Sequence, residues 1–127
     1  MKRDFSRQSF LPAHIEATLA SIKVGIVGLC GGGSHIVQQL AHAGVLNFTV
    51  VDPDQIDASN LNRLVGATEQ DVVLKSFKAD IAKRVISNIS PHAHVNCISD
   101  KWQNDQISLR DCAVVFGCVD ICGARAT

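Results

Sequence analysis

The amino-acid sequence predicts an α/β protein built on a doubly wound parallel sheet, truncated after about its fourth strand. Three observations predict it. Short apolar runs alternate with segments whose apolar residues repeat at helical spacing. The first apolar run ends in a glycine cluster that leads straight into a helical segment. Strand–helix–strand units repeated in this way close into a parallel sheet through right-handed crossovers.

The elements follow in order. Residues 12–21 read as a short helix, because Pro12 is tolerated in a first turn. Residues 23–28, Lys-Val-Gly-Ile-Val-Gly, are apolar at consecutive positions, as in a strand covered on both faces. Ser34 is the expected N-cap of the next helix, which carries Ile36, Val37, Leu40 and Ala43 on one side and ends at Gly44. Residues 47–52 form the second strand, and a polar stretch runs from Pro53 to about Asp71. Leu74, Phe77, Ile81, Ala82, Val85, Ile86 and Ile89 mark the apolar face of a second long helix. Pro91 stops it, since the residue before a proline avoids helical geometry. Residues 94–98 give a third strand, 104–110 a short helix and 113–117 a fourth strand; Asp120 opens a further helical segment. The chain reads as one domain over residues 1–127, an N-terminal segment 1–21 followed by a core 22–127. Doubly wound sheets normally continue past the switch point, so a partial domain is expected.

Composition narrows the function. A hydrophobic fraction of 46% and a charged fraction of 19% over 127 residues suit a packed core. Lys+Arg and Asp+Glu each number 12, which gives no basic excess for nucleic acid or an anionic membrane surface. No run approaches the roughly 20 apolar residues of a membrane span, and the N-terminus lacks the apolar stretch of a secretory signal. Five scattered cysteines without a Cys-x-x-Cys pair suit reduced thiols in a cytoplasmic protein. Cys118 and Cys122 have no second pair to complete a metal site, and the five histidines show no ligand spacing.

The chemistry gathers after the first two strands. Gly28-Leu29-Cys30-Gly31-Gly32-Gly33 would let the backbone turn tightly and approach a phosphate, with Gly28, Gly31 and Gly33 as the binding glycines. The helix behind them presents N–H groups and a positive dipole end to an anion. Asp52, nineteen residues after Gly33, can accept hydrogen bonds from ribose hydroxyls. The loop and Asp52 together indicate a nucleotide site without saying which nucleotide. Cys30 stands where the strict pattern has glycine, so its side chain is expected where a phosphate comes close. Cations placed to meet a developing pyrophosphate distinguish an adenylating site from a dehydrogenase site. The segments after Asp52 supply them: Asp52-Pro53-Asp54, Ser59-Asn60-Leu61-Asn62-Arg63, Lys75-Ser76-Phe77-Lys78, then Asp120 past the fourth strand.

These motifs resemble the nucleotide-binding half of the ThiF/MoeB/HesA family, the superfamily of ubiquitin-activating enzymes. The family's second strand ends in Asp-x-Asp, followed by Ser-Asn-Leu-x-Arg and a lysine opening the next helix. Here Ile89-Ser90-Pro91 lies where that helix ends, with Pro91 thirteen residues after Lys78. The resemblance covers about residues 3–125 and about half of the family domain. It implies a Rossmann-like fold binding ATP and Mg²⁺. The implied activity is adenylation of the C-terminal carboxylate of a ubiquitin-like or sulfur-carrier protein ending in Gly-Gly. It assigns Asp52 to the ribose, and Asp54 and Asn60 to ordering the loop and phosphates. Arg63 and Lys78 go to the triphosphate, and Asp120 to magnesium. Arg7, in Arg3-Asp-Phe-Ser-Arg7-Gln8, would reach into the partner's site of a homodimer. Cys30 and Lys75 stand where the family has glycine, and Ile121 where it has asparagine. A catalytically impaired nucleotide-binding or dimerisation module of the same family is the alternative. An NAD-dependent oxidoreductase leaves Arg63 and Lys78 without a role. Strand order 3-2-1-4 is expected, with Arg63 and Lys78 converging on a crevice walled by Asp52 and Asp120.

Overall fold

The computed structural model describes residues 13–118. Its strands are β1 (Lys23–Val27), β2 (Asn47–Val51), β3 (His94–Ile98) and β4 (Val114–Gly117), and its helices α1 (Ala13–Ser21), α2 (Gly32–Ala43), α3 (Glu69–Leu74), α4 (Lys78–Ile89) and α5 (Ile107–Arg110). The four strands form one sheet in the order β3-β2-β1-β4, every neighbouring pair parallel. This is the expected order, and β1 and β4 flank the switch point. Val27 lies opposite both Val51 and Gly117, and Val51 opposite Ile98, so the strands end level and their following loops share one edge.

Strand alternation sorts the core into two layers. Val24, Ile26, Phe48 and Val50 face α2 and α4, packing with Val37, Ala41, Ala79, Ala82 and Ile86; Leu19 of α1 joins them. Val27, Val51 and Ile98 face the other way, toward Leu109 of α5. Fully buried side chains such as Phe48 and Ile26 each stabilise the fold by about 1.5–3 kcal/mol.

Four boundaries differ from expectation. The helix expected through Leu74 to Ile89 is two helices, α3 and α4. Lys75 separates them in the left-handed conformation (φ 54°), its N–H closing onto the Asp71 and Val72 carbonyls. Leu74 is 64% exposed, so it does not belong to the buried face. α3 begins inside the expected polar stretch because Thr68 and Asp71 form a reciprocal capping box. Helix α2 begins at Gly32 with Gly31 as its N-cap; Ser34 lies inside the first turn, and its Oγ donates to the Gly31 carbonyl at 2.9 Å. The helix expected at 104–110 is a 3-10 turn, Trp102–Asn104, followed by α5. The helical segment expected from Asp120 lies outside the described residues.

The excursion between β2 and α4 is closed at its base. Ile56 N–H donates to the Ser76 carbonyl at 2.8 Å, and Lys78 N–H to the Asp54 carbonyl at 3.0 Å. Gln55 and Phe77 form an antiparallel bridge between those two bonds.

Candidate functional site

The glycine loop leaves β1 at the switch point. Gly28 N–H donates to the Val51 carbonyl at 2.9 Å, so the loop starts tied to β2. Gly31 has φ +54°, a conformation that favours glycine. Gly33 is glycine for a different reason: a Cβ there would lie 1.8 Å from the Gly28 carbonyl oxygen, so α2 approaches β1 only without one. Around Gly31 and Gly32 nothing lies within 4 Å of where a Cβ would stand, so this part of the backbone borders open space. First-turn N–H groups have no intrahelical acceptor, which leaves them suited to an anion.

Asp52 follows β2 and is buried. Its Oδ2 accepts from Leu29 N–H at 2.8 Å and its Oδ1 from Asp54 N–H at 2.8 Å. Burial raises its pKa; the two backbone donors and the positive charge of Lys78 oppose that rise. Asp52 therefore fixes the glycine loop, and each oxygen keeps a further lone pair for a ligand hydroxyl.

Lys78 opens α4. Its side chain is buried, with Nζ 3.9 Å from Oδ2 of the exposed Asp54. With Leu29, Ser34, Leu64 and Ile81 it lines a seam between α2 and α4. Lys78 thus places a buried ammonium beside the glycine loop, 3.9 Å from the exposed Asp54 carboxylate and close enough to Asp52 and Asp57 for its charge to act on both. Buried cations are costly unless paired, which suits a site that receives an anion.

Asn60 is buried and ties two loops together. Its Oδ1 accepts from Asp57 N–H at 3.2 Å, and its Nδ2 donates to Cys30 Sγ at 3.5 Å. The Cys30 side chain is buried against Asn60, its thiol accepting the amide N–H. Arg63 is exposed, and its carbonyl lies 3.5 Å from Ser34 Oγ, which also accepts from Val65 N–H at 3.1 Å. Ser34 therefore docks the Arg63 loop on the first turn of α2. Sequence reasoning gave Ser34 only a capping role, although a hydroxyl just past a glycine loop is a signal for such docking.

The fold brings Gly28, Gly31, Gly33, Asp52, Asp54, Asn60 and Lys78 to one edge of the sheet and holds the backbone of Arg63 beside them. The expected roles of Arg7 and Asp120 fall on residues outside those described. Among the described residues no cluster of three or more His, Cys, Asp or Glu side chains is arranged to hold a metal, and no helix is long and apolar enough to cross a membrane. Cys30, Cys97, Cys112 and Cys118 are free thiols, and burial pushes the last three up from the ordinary cysteine value.

Comparison with known proteins gives a consistent set. The ThiF family matches residues 4–127. The molybdopterin-synthase adenylyltransferase of Haemophilus influenzae is 35% identical over 104 residues, covering 80% of this chain and 42% of that protein. An adenylyltransferase and sulfurtransferase of Scheffersomyces stipitis is 30% identical over 122 residues, covering 91% of this chain and 27% of its own length. Among solved structures, the E. coli tRNA N6-threonylcarbamoyladenosine dehydratase in complex with ATP superimposes with a TM-score of 0.81 at 25% identity. That match covers 95% of this chain and 53% of the dehydratase. The chain thus spans about half or less of the length of these relatives.

Proposed function

Because the chain belongs to the ThiF family, we propose that it takes part in ATP-dependent adenylation of a carboxylate. The substrate in this reading is the C-terminal carboxylate of a ubiquitin-like or sulfur-carrier protein ending in Gly-Gly. The names of the adenylyltransferase relatives and the ATP complex of the dehydratase support it. The observation that carries it is Lys78, a buried cation beside a glycine loop whose backbone borders open space.

In this reading Asp52 accepts from the ribose hydroxyls, and the Gly31 and Gly32 amides face the phosphates. Lys78 and Arg63 contact the triphosphate, while Asn60 and Asp54 order the loops around it. A carboxylate oxygen of the acceptor attacks the α-phosphorus; the bond from that phosphorus to the bridging oxygen breaks, and pyrophosphate leaves with the electron pair. Charge develops on the leaving group, and the two cations stabilise it there. Magnesium takes one or two carboxylates plus substrate phosphates, and the exposed Asp54 carboxylate at the rim has the right donor chemistry. Asp120 is assigned to that ion, which when bound neutralises phosphate charge. The assembly in this reading is a cytoplasmic homodimer in which Arg7 reaches the partner's site.

Isothermal titration with ATP·Mg²⁺, ADP and NAD, followed by pyrophosphate exchange with a Gly-Gly-ended carrier, tests the proposal. ATP should bind in preference to NAD. Lys78→Ala and Arg63→Ala should each weaken ATP binding by about 1.5–3 kcal/mol, the scale of a charge-assisted hydrogen bond. Equal ATP affinity in both variants and the parent refutes the site. ATP binding without exchange would favour the impaired nucleotide-binding module.

A further inference from the structure

The loop that carries Arg63 has a second fastening, on its far side from Ser34. Asp71, in the first turn of α3, is 3% exposed and takes both ends of the Arg84 guanidinium from α4. Nη1 donates to Oδ1 at 2.8 Å, and Nη2 to Oδ2 at 2.6 Å. The same Nη2 donates to the Gly66 carbonyl at 2.7 Å. Thr68 N–H and Oγ1 donate to the Asp71 carboxylate at 2.9 and 3.1 Å, and Ser76 Oγ donates to it at 3.3 Å. Gly66, at φ +81°, packs so close to Val85 of α4 that a Cβ would come within 2.3 Å of its Cγ2. One planar fork therefore joins three segments: the end of the Arg63 loop, α3, and the helix that begins at Lys78.

We propose that Asp71 and Arg84 are positioning residues, whose bidentate pair together with the Gly66 carbonyl sets the Arg63 loop relative to Lys78. The proposal rests on the reading of Arg63 and Lys78 as triphosphate contacts. The loop from Leu61 to Ala67 has no regular secondary structure of its own to fix its path. It is held upstream by Asn60 on Cys30, in the middle by Ser34, and downstream by Arg84. Of these polar anchors, Arg84 lies on the same helix as Lys78; there it adds directional bonds to the apolar contact of Leu64 with Ile81 and of Gly66 with Val85. Two cations on different elements serve one triphosphate only at a set separation, and a fork of donors fixes geometry where a single ammonium does not.

The test uses the full chain with Arg84→Met, which keeps an apolar stem, and Arg84→Lys, which keeps the charge but loses the fork. Amide hydrogen exchange is read alongside ATP and AMP affinity. In Arg84→Met, exchange should rise at least about tenfold across residues 61–68 while β1 and β2 stay protected. ATP affinity should fall about five- to tenfold and AMP affinity less than twofold, because AMP lacks the phosphates at which the two cations meet. Arg84→Lys should fall between the parent and Arg84→Met. Added to Arg63→Ala, Arg84→Met should cost no further ATP affinity. Unchanged loop exchange overturns the proposal. So does exchange that rises equally throughout the sheet, or an equal loss of ATP and AMP. A parent chain that binds no ATP overturns the proposed function instead, and loop exchange then still decides whether the pair sets the loop.

Discussion

Gly32 and Gly33 are adjacent, identical residues in the first turn of α2, and replacing each by alanine should move stability in opposite directions. A Cβ on Gly33 would sit 1.8 Å from the Gly28 carbonyl oxygen, 2.9 Å from its carbonyl carbon and 3.3 Å from Cys118 Cβ. Comfortable contact needs roughly 3.5 Å, so about 1.7 Å of displacement is required. The obstacle is backbone, not a side chain that can swing aside, and the Gly28–Leu29 peptide that carries this carbonyl is held by the Leu29 N–H bond to Asp52. Overpacking costs typically 1–3 kcal/mol, and this case belongs at the upper end, about 3 kcal/mol. For a chain of this size that lowers Tm by roughly 12 °C. At Gly32 a Cβ meets nothing within 4 Å, and alanine should gain about 0.5 kcal/mol from reduced chain entropy. Urea unfolding followed by circular dichroism measures both. A Gly33→Ala variant within 0.5 kcal/mol of the parent, or a Gly32→Ala loss of equal size, would refute the argument that α2 rests directly on the Gly28 carbonyl.

Further predictions concern single side chains. The Arg84 guanidinium holds the Asp71 carboxyl well below the usual aspartate range. Its contribution should be complete above about pH 4 and lost as pH falls further toward the depressed folded value. The stability gap between the parent and Asp71→Asn should therefore shrink from pH 7 to pH 3 in urea titrations. Lys75→Gly should stabilise the chain by about 0.5–1 kcal/mol, since lysine at φ 54° carries a Cβ penalty that glycine escapes; a lower Tm would contradict this. Cys30→Gly should not strengthen ATP binding, because the thiol is turned into the Asn60 contact, and should cost about 1 kcal/mol of stability. Calorimetric titration showing a clear gain in affinity would put the thiol back on the phosphate path.

The sheet and the glycine loop were legible in the sequence because each depends on local pattern. Apolar runs at 24–27 and 48–51, interrupted only by the small Gly25 and by Thr49, report burial on both faces, and that is where the buried strand residues lie. The break between α3 and α4 was not legible. Lysine carries no mark of the left-handed conformation, and Leu74 and Phe77 continue the helical spacing across Lys75 by coincidence. Asp52 was legible as a carboxylate after β2, but not as the group that pins Leu29, since a partner twenty-three residues away leaves no local trace. For the same reason the Asn60–Cys30 contact and the Arg84 fork became visible only once the elements were packed.

The closed base of the excursion after β2 separates two things that sequence change could otherwise confuse. Lys78 is held in place by Asp54, and Ile56 by Ser76, through backbone bonds that do not depend on what lies between them. Residues 57–75 form a side branch that leaves the sheet edge and returns to it. Closure entropy rises only slowly with loop length, so changes at exposed positions of that branch cost little, whereas its anchors Asn60, Leu64 and Asp71 are buried and held. Val73 and Leu74, 74% and 64% exposed, lie near its end and can be exchanged without disturbing Lys78. The architecture thus behaves as a constant socket whose collar is pinned at a few points and free between them. Substitutions that diversify what the surface touches can accumulate at its exposed, unanchored positions, while the cation beside the glycine loop keeps its position.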